Sequence, residues 1–544
     1  MEETVRAGEV LAASGSGLFS PVMAFLLVVI VSFLLCLIAG MDNDTVADFF
    51  TANQSLSVAR NALALCGDYI PTTALLSSVG AIALGGYDGM IVAVSAVAGL
   101  GVLVLLAEPL RNTGRFTLGD ILEIRMTGRA TRVAGTVITV TVCLLLMVVQ
   151  LKVAGDVTAY VLGVNRPGAA QVCTVLVGLL IVTFAAFGGM RGSSMIEVGK
   201  VIVVFSTVLT VSCVALSRSH WDLATMLETA AGHSGGAGSF YAPGLLYGNT
   251  TMGGLDLVSL CVTVVLGSAV FPHVLLRVSA SRNGPAARRA SSAAVVMITL
   301  FHGAMILTGL SAAATLGAGI IASDDPQGNS ALFLLADTLA GGTGLLFTLV
   351  ACAAFITVLS TVAGLTLSAS ASLAHDLYAQ VCRRGASSER REVNVARAAV
   401  MVFGVVSVCL AVMLHQWSIV ALSSFAAALT ASAILPALLY SLFWKGFTRT
   451  GLLWTLYGAL VCCAVLEALG PTVSGSPVAL FPARDFHWFP LQNIALVSVP
   501  VGFLLGWTGS LLSRRSQVGQ DRYAETQTTL LLGGEPFHSV LRRD

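Results

Sequence analysis

Charge is scarce in this 544-residue sequence: only 10% of its residues are Asp, Glu, Lys or Arg, against 56% that are hydrophobic. A soluble domain carries about 25% charged residues, so a water-soluble protein of this size is excluded. A disordered chain is excluded as well, because disorder needs low hydrophobicity and high net charge. The 29 basic and 28 acidic residues leave a net charge of +1, with no excess to attract nucleic acid. Metal-binding cysteine patterns are missing too. The eleven cysteines form no CxxC pair and no Cys/His cluster of zinc spacing. Most sit in or beside apolar stretches, as small packing residues do. No GxxxxGK[ST] motif occurs, which argues against a pump driven by ATP. The apolar runs do not alternate over about ten residues, so a transmembrane barrel fails.

What is present is a series of long apolar runs, with a mean hydropathy of +0.87. A bilayer core needs roughly 20 apolar residues per helix. That window predicts an all-α polytopic membrane protein of about thirteen spans: 21–38, 59–85, 90–108, 132–162, 170–187, 193–216, 254–279, 289–318, 345–376, 394–414, 418–443, 452–470 and 488–512. The first follows Glu2, Glu3 and Arg6 rather than a basic segment, unlike a signal peptide. Threaded alternately, one face collects 24 of the 29 basic residues, including Arg111, Arg125, Arg132, Arg277, Lys200 and Arg397. This bias predicts an external N-terminus, a cytoplasmic C-terminus and a plasma (inner) membrane location. The expected units are an external N-terminus at 1–20, an extra helix and loop at 21–58, and a first repeat at 59–216. An external loop at 217–253, a second repeat at 254–443, two extra helices at 444–512 and a cytoplasmic tail at 513–544 follow. The tail is polar and is expected to be mobile.

Ionisable and helix-breaking residues at membrane depth mark candidate chemistry. The second span reads Cys66-Gly67-Asp68-Tyr69-Ile70-Pro71-Thr72-Thr73. Pro71 has no N–H and clashes with the carbonyl four residues back, so the helix should break there. Broken helices free carbonyls for a cation and N–H groups for an anion, as in secondary transporters. The alternative is a simple kink with Asp68 paired to a neighbouring helix. Phe271-Pro272-His273 is a second candidate break. With both prolines on first helices of five-helix units, the pattern fits two inverted repeats. Thr357, Ser360 and Thr361 offer hydroxyls that either bond back along the helix or line an all-oxygen cage suited to a hard cation. Gln150 is a candidate cavity residue. Lys152 with Asp156, at i and i+4, and Glu197 with Lys200, at i and i+3, read as structural pairs. His302 reads as a satisfied packing residue.

Several stretches carry a family pattern. GDYIPTTALLSSVGAIALGGYDG, AEPLRNTGRFTLGDILEIRM, FGGMRGSSMIEVGK, LGSAVFPHVLLR, STVAGLTLSASASLAHDLYAQV, GPTVSGSP and FPLQN occur in order through nearly the whole chain. The sequence resembles the sodium:solute symporter family, and within it the cation/acetate (short monocarboxylate) branch. The resemblance implies a leucine-transporter-like core of two inverted five-helix repeats, with one extra helix before and two after. It also implies a Na⁺ site made by the carbonyls of Cys66, Tyr69 and Thr357 and the hydroxyls of Ser360 and Thr361, with Asp68 serving cation coupling. Substrate is then expected near Tyr69, Thr72, Thr73, Gln150 and Phe271.

The acetate branch carries Ala and Val where this chain has Ser360 and Thr361, a difference that favours Na⁺ over H⁺ as coupling ion. It carries Ser-Ala-Ala in place of Pro71-Thr72-Thr73, and Lys152 and Asp156 are unusual for it. The resulting expectation is a Na⁺-coupled symporter of a short monocarboxylate such as acetate, propionate or pyruvate, with no organic cofactor and no enzymatic activity. Its partners are the bilayer and a small solute. Proline or another small solute, H⁺ coupling, and a solute sensor on the same fold stand as alternatives.

Overall fold

A bilayer offers no water to backbone N–H and C=O groups, so long apolar runs close their hydrogen bonds internally as helices. The computed structural model describes residues 45–113, 116–164, 166–340, 344–476, 479–513 and 517–533, with scattered positions between 23 and 34. The described residues fold almost wholly as helix, with a single isolated bridge between Ser474 and Phe481. In chain order the helices are α1 (Val46–Thr51), α2 (Val58–Tyr69), α3 (Thr72–Gly85), α4 (Tyr87–Thr113), α5 (Leu118–Glu123), α6 (Arg129–Val161) and α7 (Ala169–Arg218). Then come α8 (Leu223–Gly232), α9 (Thr251–Ser268), α10 (Pro272–Ser279), α11 (Gly284–Thr315), α12 (Ala331–Ala340) and α13 (Leu345–Ala371). The chain continues with α14 (Glu389–Met413), α15 (Ile419–Leu429), α16 (Leu435–Phe443), α17 (Arg449–Ala468), α18 (Ala495–Leu512) and α19 (Gln517–Leu532). Two short helical turns, Ala237–Phe240 and Gly317–Asp324, lie between them.

Among the described residues ten helical runs are long and apolar enough to cross a membrane, and α2 with α3 form an eleventh, bent by 54°. The expected span 21–38 lies largely outside the described residues. The expected spans 170–187 and 193–216 form one helical run, α7, bent at Gly189. Gly189 takes φ 52° and ψ −165°, a conformation that a side chain would disfavour. The last span starts at Ala495 rather than near 488. The preceding segment is pinned in a non-helical course because Asp256 accepts the Gln492 and Asn493 N–H groups at 3.0 and 2.8 Å.

α13 is the axis of the molecule: 83% of its apolar window is buried, and it packs along α7 and α6. It continues as a π-helix over Ser372–Cys382. Lipid tails give no hydrophobic drive between helices, so close contact relies on small residues. Gly267 on α9 meets the Ala427 backbone on α15, and Gly502 on α18 meets Ser432. The tail is not loose where it is described. α19 docks on the bundle, with Asn112 Nδ2 donating to the Leu530 carbonyl at 2.9 Å and Tyr523 donating to the Phe443 carbonyl. Arg125 is 2% exposed and donates to the carbonyls of Tyr440, Ser441, Trp444, Lys445 and Phe447, capping the end of α16 with one guanidinium.

Candidate functional site

The predicted break is present. α2 ends at Tyr69, Ile70 leaves helical geometry at φ −101° and ψ 85°, and α3 begins at Thr72. The Ile70 N–H donates to the Gly67 carbonyl at 3.0 Å instead of reaching back to Cys66. Pro71 offers no N–H at all. Gly67 is required by close packing, since a Cβ there would overlap the Glu197 carboxylate. A second break separates α9 from α10 at residues 269–271, with Pro272 opening α10. Neither α3 nor α10 has a side-chain N-cap. First-turn N–H groups at both breaks are therefore left to other acceptors.

Both breaks face one cavity of about 420 Å³, a volume that suits a small organic molecule. Of the residues expected to hold substrate, Tyr69, Thr73, Gln150 and Phe271 line it. Thr72 stands behind Gln150 and donates to its Oε1 at 2.7 Å. Tyr69 is fixed by donation of its hydroxyl to the Ala96 carbonyl at 2.8 Å and by a 2.5 Å bond with Ser268. Phe271 stacks on His273 at 5.5 Å. His273 also lines the cavity, and its Nδ1 has no hydrogen-bond partner. No Lys or Arg lines the cavity among the described residues. Leu246, Tyr247, Gln327, Ser418 and Gln492 also line the cavity. The loop carrying Leu246 is anchored to α4, because Asp88 accepts the N–H groups of Gly244 and Leu246.

The five oxygens expected to hold a cation come from α2 and α13, which are in contact. Cys66, Thr357, Ser360 and Thr361 are at most 2% exposed. Thr357 Oγ1 bonds back to the Ala353 carbonyl at 2.6 Å, and Ser360 Oγ donates to the Thr357 carbonyl at 3.1 Å. Thr361 also lines the cavity. Its Oγ1 accepts from Lys200 Nζ at 3.3 Å, and the same ammonium donates to the Gly67 carbonyl at 2.7 Å. Lys200 thus pairs with Glu197 as expected, at 3.4 Å, but it also bridges α2 and α13.

Asp68 is buried and paired. Its Oδ2 accepts from Arg277 Nε at 2.5 Å, and Arg277 also donates to Ser194 at 2.5 Å and Ser193 at 3.1 Å. Arg277, counted above among loop charges, is therefore 1% exposed and belongs to the interior. Lys152 corrects another expectation. Its ammonium donates to the carbonyls of Leu414 and Trp417, just past the end of α14, rather than pairing with Asp156. Bare carbonyls at a helix C-terminus attract a cation. His302 is satisfied, as expected, by the Ile298 carbonyl at 3.0 Å, though its ring also reaches the cavity wall.

Apart from the residues that line the cavity stands a second buried network, a polar lock. Asn61 donates to Ser281 at 2.8 Å. Arg132 pairs with Asp120 at 3.0 Å, with Asp376 at 2.7 Å and with Glu123. His375 sits between Asp120 at 3.3 Å and Glu392 at 2.7 Å. Burial opposes the charge on Asp120, yet His375, Arg132 and the Phe116 N–H together hold its carboxyl well below the usual range. The Arg132 guanidinium and the His375 ring already pair with these acids, so a structural lock accounts for the cluster better than a metal centre does.

A sequence model of the sodium:solute symporter family matches residues 49–458. The chain is 34% identical to a protein of Corynebacterium glutamicum named monocarboxylic acid transporter, covering 96% of this chain and 97% of that relative. It is 32% identical to the uncharacterized symporter YwcA of Bacillus subtilis, over 93% and 96% of the two chains. A solved structure of a Na⁺-coupled sialic acid symporter in a substrate-bound outward-open state superposes with a TM-score of 0.64. That structure is 14% identical, with 92% of this chain and 99% of that one covered, and so speaks to the fold.

Proposed function

Because this chain belongs to the sodium:solute symporter family, we propose that it imports a short monocarboxylate together with Na⁺ by alternating access. The family and the relatives named above are transporters, not enzymes. The observation that carries the reading is the meeting of two broken helices at one cavity, with α2 and α13 oxygens beside it. Na⁺ sits among the carbonyls of Cys66, Tyr69 and Thr357 and the hydroxyls of Ser360 and Thr361, all hard oxygen donors. Thr361 and Tyr69 belong to both the cation oxygens and the cavity wall, which supports coupling of ion to solute.

The substrate carboxylate meets no Lys or Arg among the described residues that line the cavity. Its charge is met by first-turn N–H groups at Thr72, Thr73 and His273, by the His273 ring and by the bound Na⁺. Apolar lining from Leu146, Val149 and Leu260 takes the short carbon chain. Of the named relatives, the C. glutamicum transporter, by its name, supports a monocarboxylate over proline or another solute.

Counting α7 as two spans across Gly189 and adding 21–38 brings the spans to thirteen, in keeping with a five-plus-five core at 59–216 and 254–443. On that arrangement the cavity opens outward, the loop 217–253 is external, and both the polar lock and the tail are cytoplasmic. Asp68, paired with Arg277, serves coupling by holding α2 to α10.

The test is uptake of labelled acetate, propionate, pyruvate and proline into proteoliposomes, with and without an inward Na⁺ gradient. Na⁺-stimulated uptake of at least one monocarboxylate is expected. Equal uptake in Na⁺-free medium across a range of pH overturns Na⁺ coupling, and uptake of proline alone overturns the substrate class.

A further inference from the structure

We infer that Lys200 is a tethered cation that competes with Na⁺ for the coupling-ion oxygens and must be displaced before Na⁺ binds. The inference rests on the cation site proposed above and deepens it.

Lys200 projects from α7 and is fully buried. Its ammonium lies 2.7 Å from the Gly67 carbonyl and 3.3 Å from Thr361 Oγ1. Gly67 directly follows Cys66, and Thr361 is one of the two hydroxyls offered to Na⁺. The ammonium therefore stands at the edge of the cage with the same unit charge as the ion. A hydroxyl oxygen that accepts from an ammonium has one of its two lone pairs committed, and two like charges within about 4 Å repel strongly where water is excluded. The nearest aspartate does not relieve that conflict. Asp68 is paired with Arg277 at 2.5 Å, and Arg277 adds further positive charge.

The structure also supplies the place to which Lys200 retreats. Glu197 Oε2, on the same helix, is 3.4 Å from Nζ. A lysine is a compact charge on a flexible stem, so it can swing toward Glu197 and release Gly67 and Thr361 without crossing an apolar layer. Na⁺ entry then exchanges one cation for another on Thr361. It also breaks a hydrogen-bonded bridge by which α7 holds both α2 and α13.

The experiment is ²²Na⁺ binding to the purified full-length protein, with Na⁺-stimulated solute uptake measured in parallel. Lys200→Met is combined with Glu197→Gln, so that no carboxylate is left stranded. Lys200→Gln, which keeps a donor toward Gly67 and removes only the charge, is read the same way should the double variant fail to fold. The Na⁺ concentration for half-saturation is expected to fall about tenfold or more once the repulsion is removed. In a Thr361→Ala background the same change is expected to shrink, because the contested oxygen is gone.

A folded variant whose half-saturation is unchanged or higher, measured beside a Na⁺-dependent wild type, overturns the inference and leaves Na⁺ coupling standing. A wild type indifferent to Na⁺ whose Lys200 variant gains Na⁺ binding overturns Na⁺ coupling and upholds the inference, the lysine then holding the site outright. Absence of Na⁺ binding in both overturns both.

Discussion

Asp68 Oδ2 and Arg277 Nε lie 2.5 Å apart across 209 residues of sequence, joining the two helices that flank the breaks. Breaking a buried pair by removing one partner strands the other charge and costs about 3–5 kcal/mol, whereas removing both is often near neutral. Asp68→Asn and Arg277→Gln singly should each lower the thermal unfolding midpoint in detergent sharply. The double variant should recover most of the loss. Two single variants that each unfold within about 1 kcal/mol of wild type would show the pair to be solvated.

The two hydroxyls on α13 differ from the third. Thr357 Oγ1 is committed to the Ala353 carbonyl, and only its own carbonyl is offered to Na⁺. Ser360→Ala combined with Thr361→Ala should raise the Na⁺ concentration for half-maximal uptake, while Thr357→Val should leave it within about twofold, because its lost hydrogen bond is local. Unchanged Na⁺ dependence in a well-expressed double variant removes those hydroxyls from the site.

Gln150 is positioned by Thr72 at the wall of the cavity. A hydrogen bond to a charged group contributes about 1.5–3 kcal/mol, so Gln150→Ala should raise the KM for a monocarboxylate by roughly ten- to a hundredfold. Na⁺ half-saturation at saturating solute should move much less. Equal shifts in both would place Gln150 in the scaffold instead.

Gly67 tests the packing behind the break. A Cβ there overlaps the Glu197 carboxylate, and overpacking of a buried site costs about 1–3 kcal/mol. Gly67→Ala should lower the unfolding midpoint. Gly101→Ala, on α4 with nothing within 4 Å of the added atom, should be neutral or stabilising by up to about 1 kcal/mol from helix propensity. The reverse order of the two variants contradicts this packing.

Asp120 sets a pH dependence of known sign. Its carboxyl is held below the usual range in the folded protein. The stability it contributes is then fully present above the unfolded value of about 3.9 and is lost as pH falls toward the folded value. The difference in unfolding midpoint between wild type and Asp120→Asn should therefore shrink as pH falls below about pH 4. A difference that does not shrink as pH falls below about 4 assigns the charge to another group.

Both breaks were legible because a proline's missing N–H acts on its own few neighbours, whatever the rest of the chain does. Most apolar spans were legible for the same local reason. The partners of buried charges were not. Arg277 reads as a loop charge until α10 folds against α2 and α7, and then its guanidinium meets Asp68 and two serines. Lys200 reads as the i,i+3 partner of Glu197, which it is, but its bond to Gly67 spans 133 residues. The spacing of Lys152 and Asp156 is correct for a pair, yet the carbonyls beyond α14 hold the ammonium. Local periodicity carries the helices, while the choice among competing acceptors belongs to tertiary contact.

The guanidinium of Arg125 gathers five carbonyls at the end of α16 and also lies 4.7 Å over the Tyr523 ring of α19. One side chain thus rivets the corner between α5 and α6 to α16 and to the docked tail. During any rocking of the bundle these parts travel together as a stiff lever arm. Where elements meet through small residues instead, as Gly267 does against Ala427, backbone lies on backbone with no side chain between to rivet them.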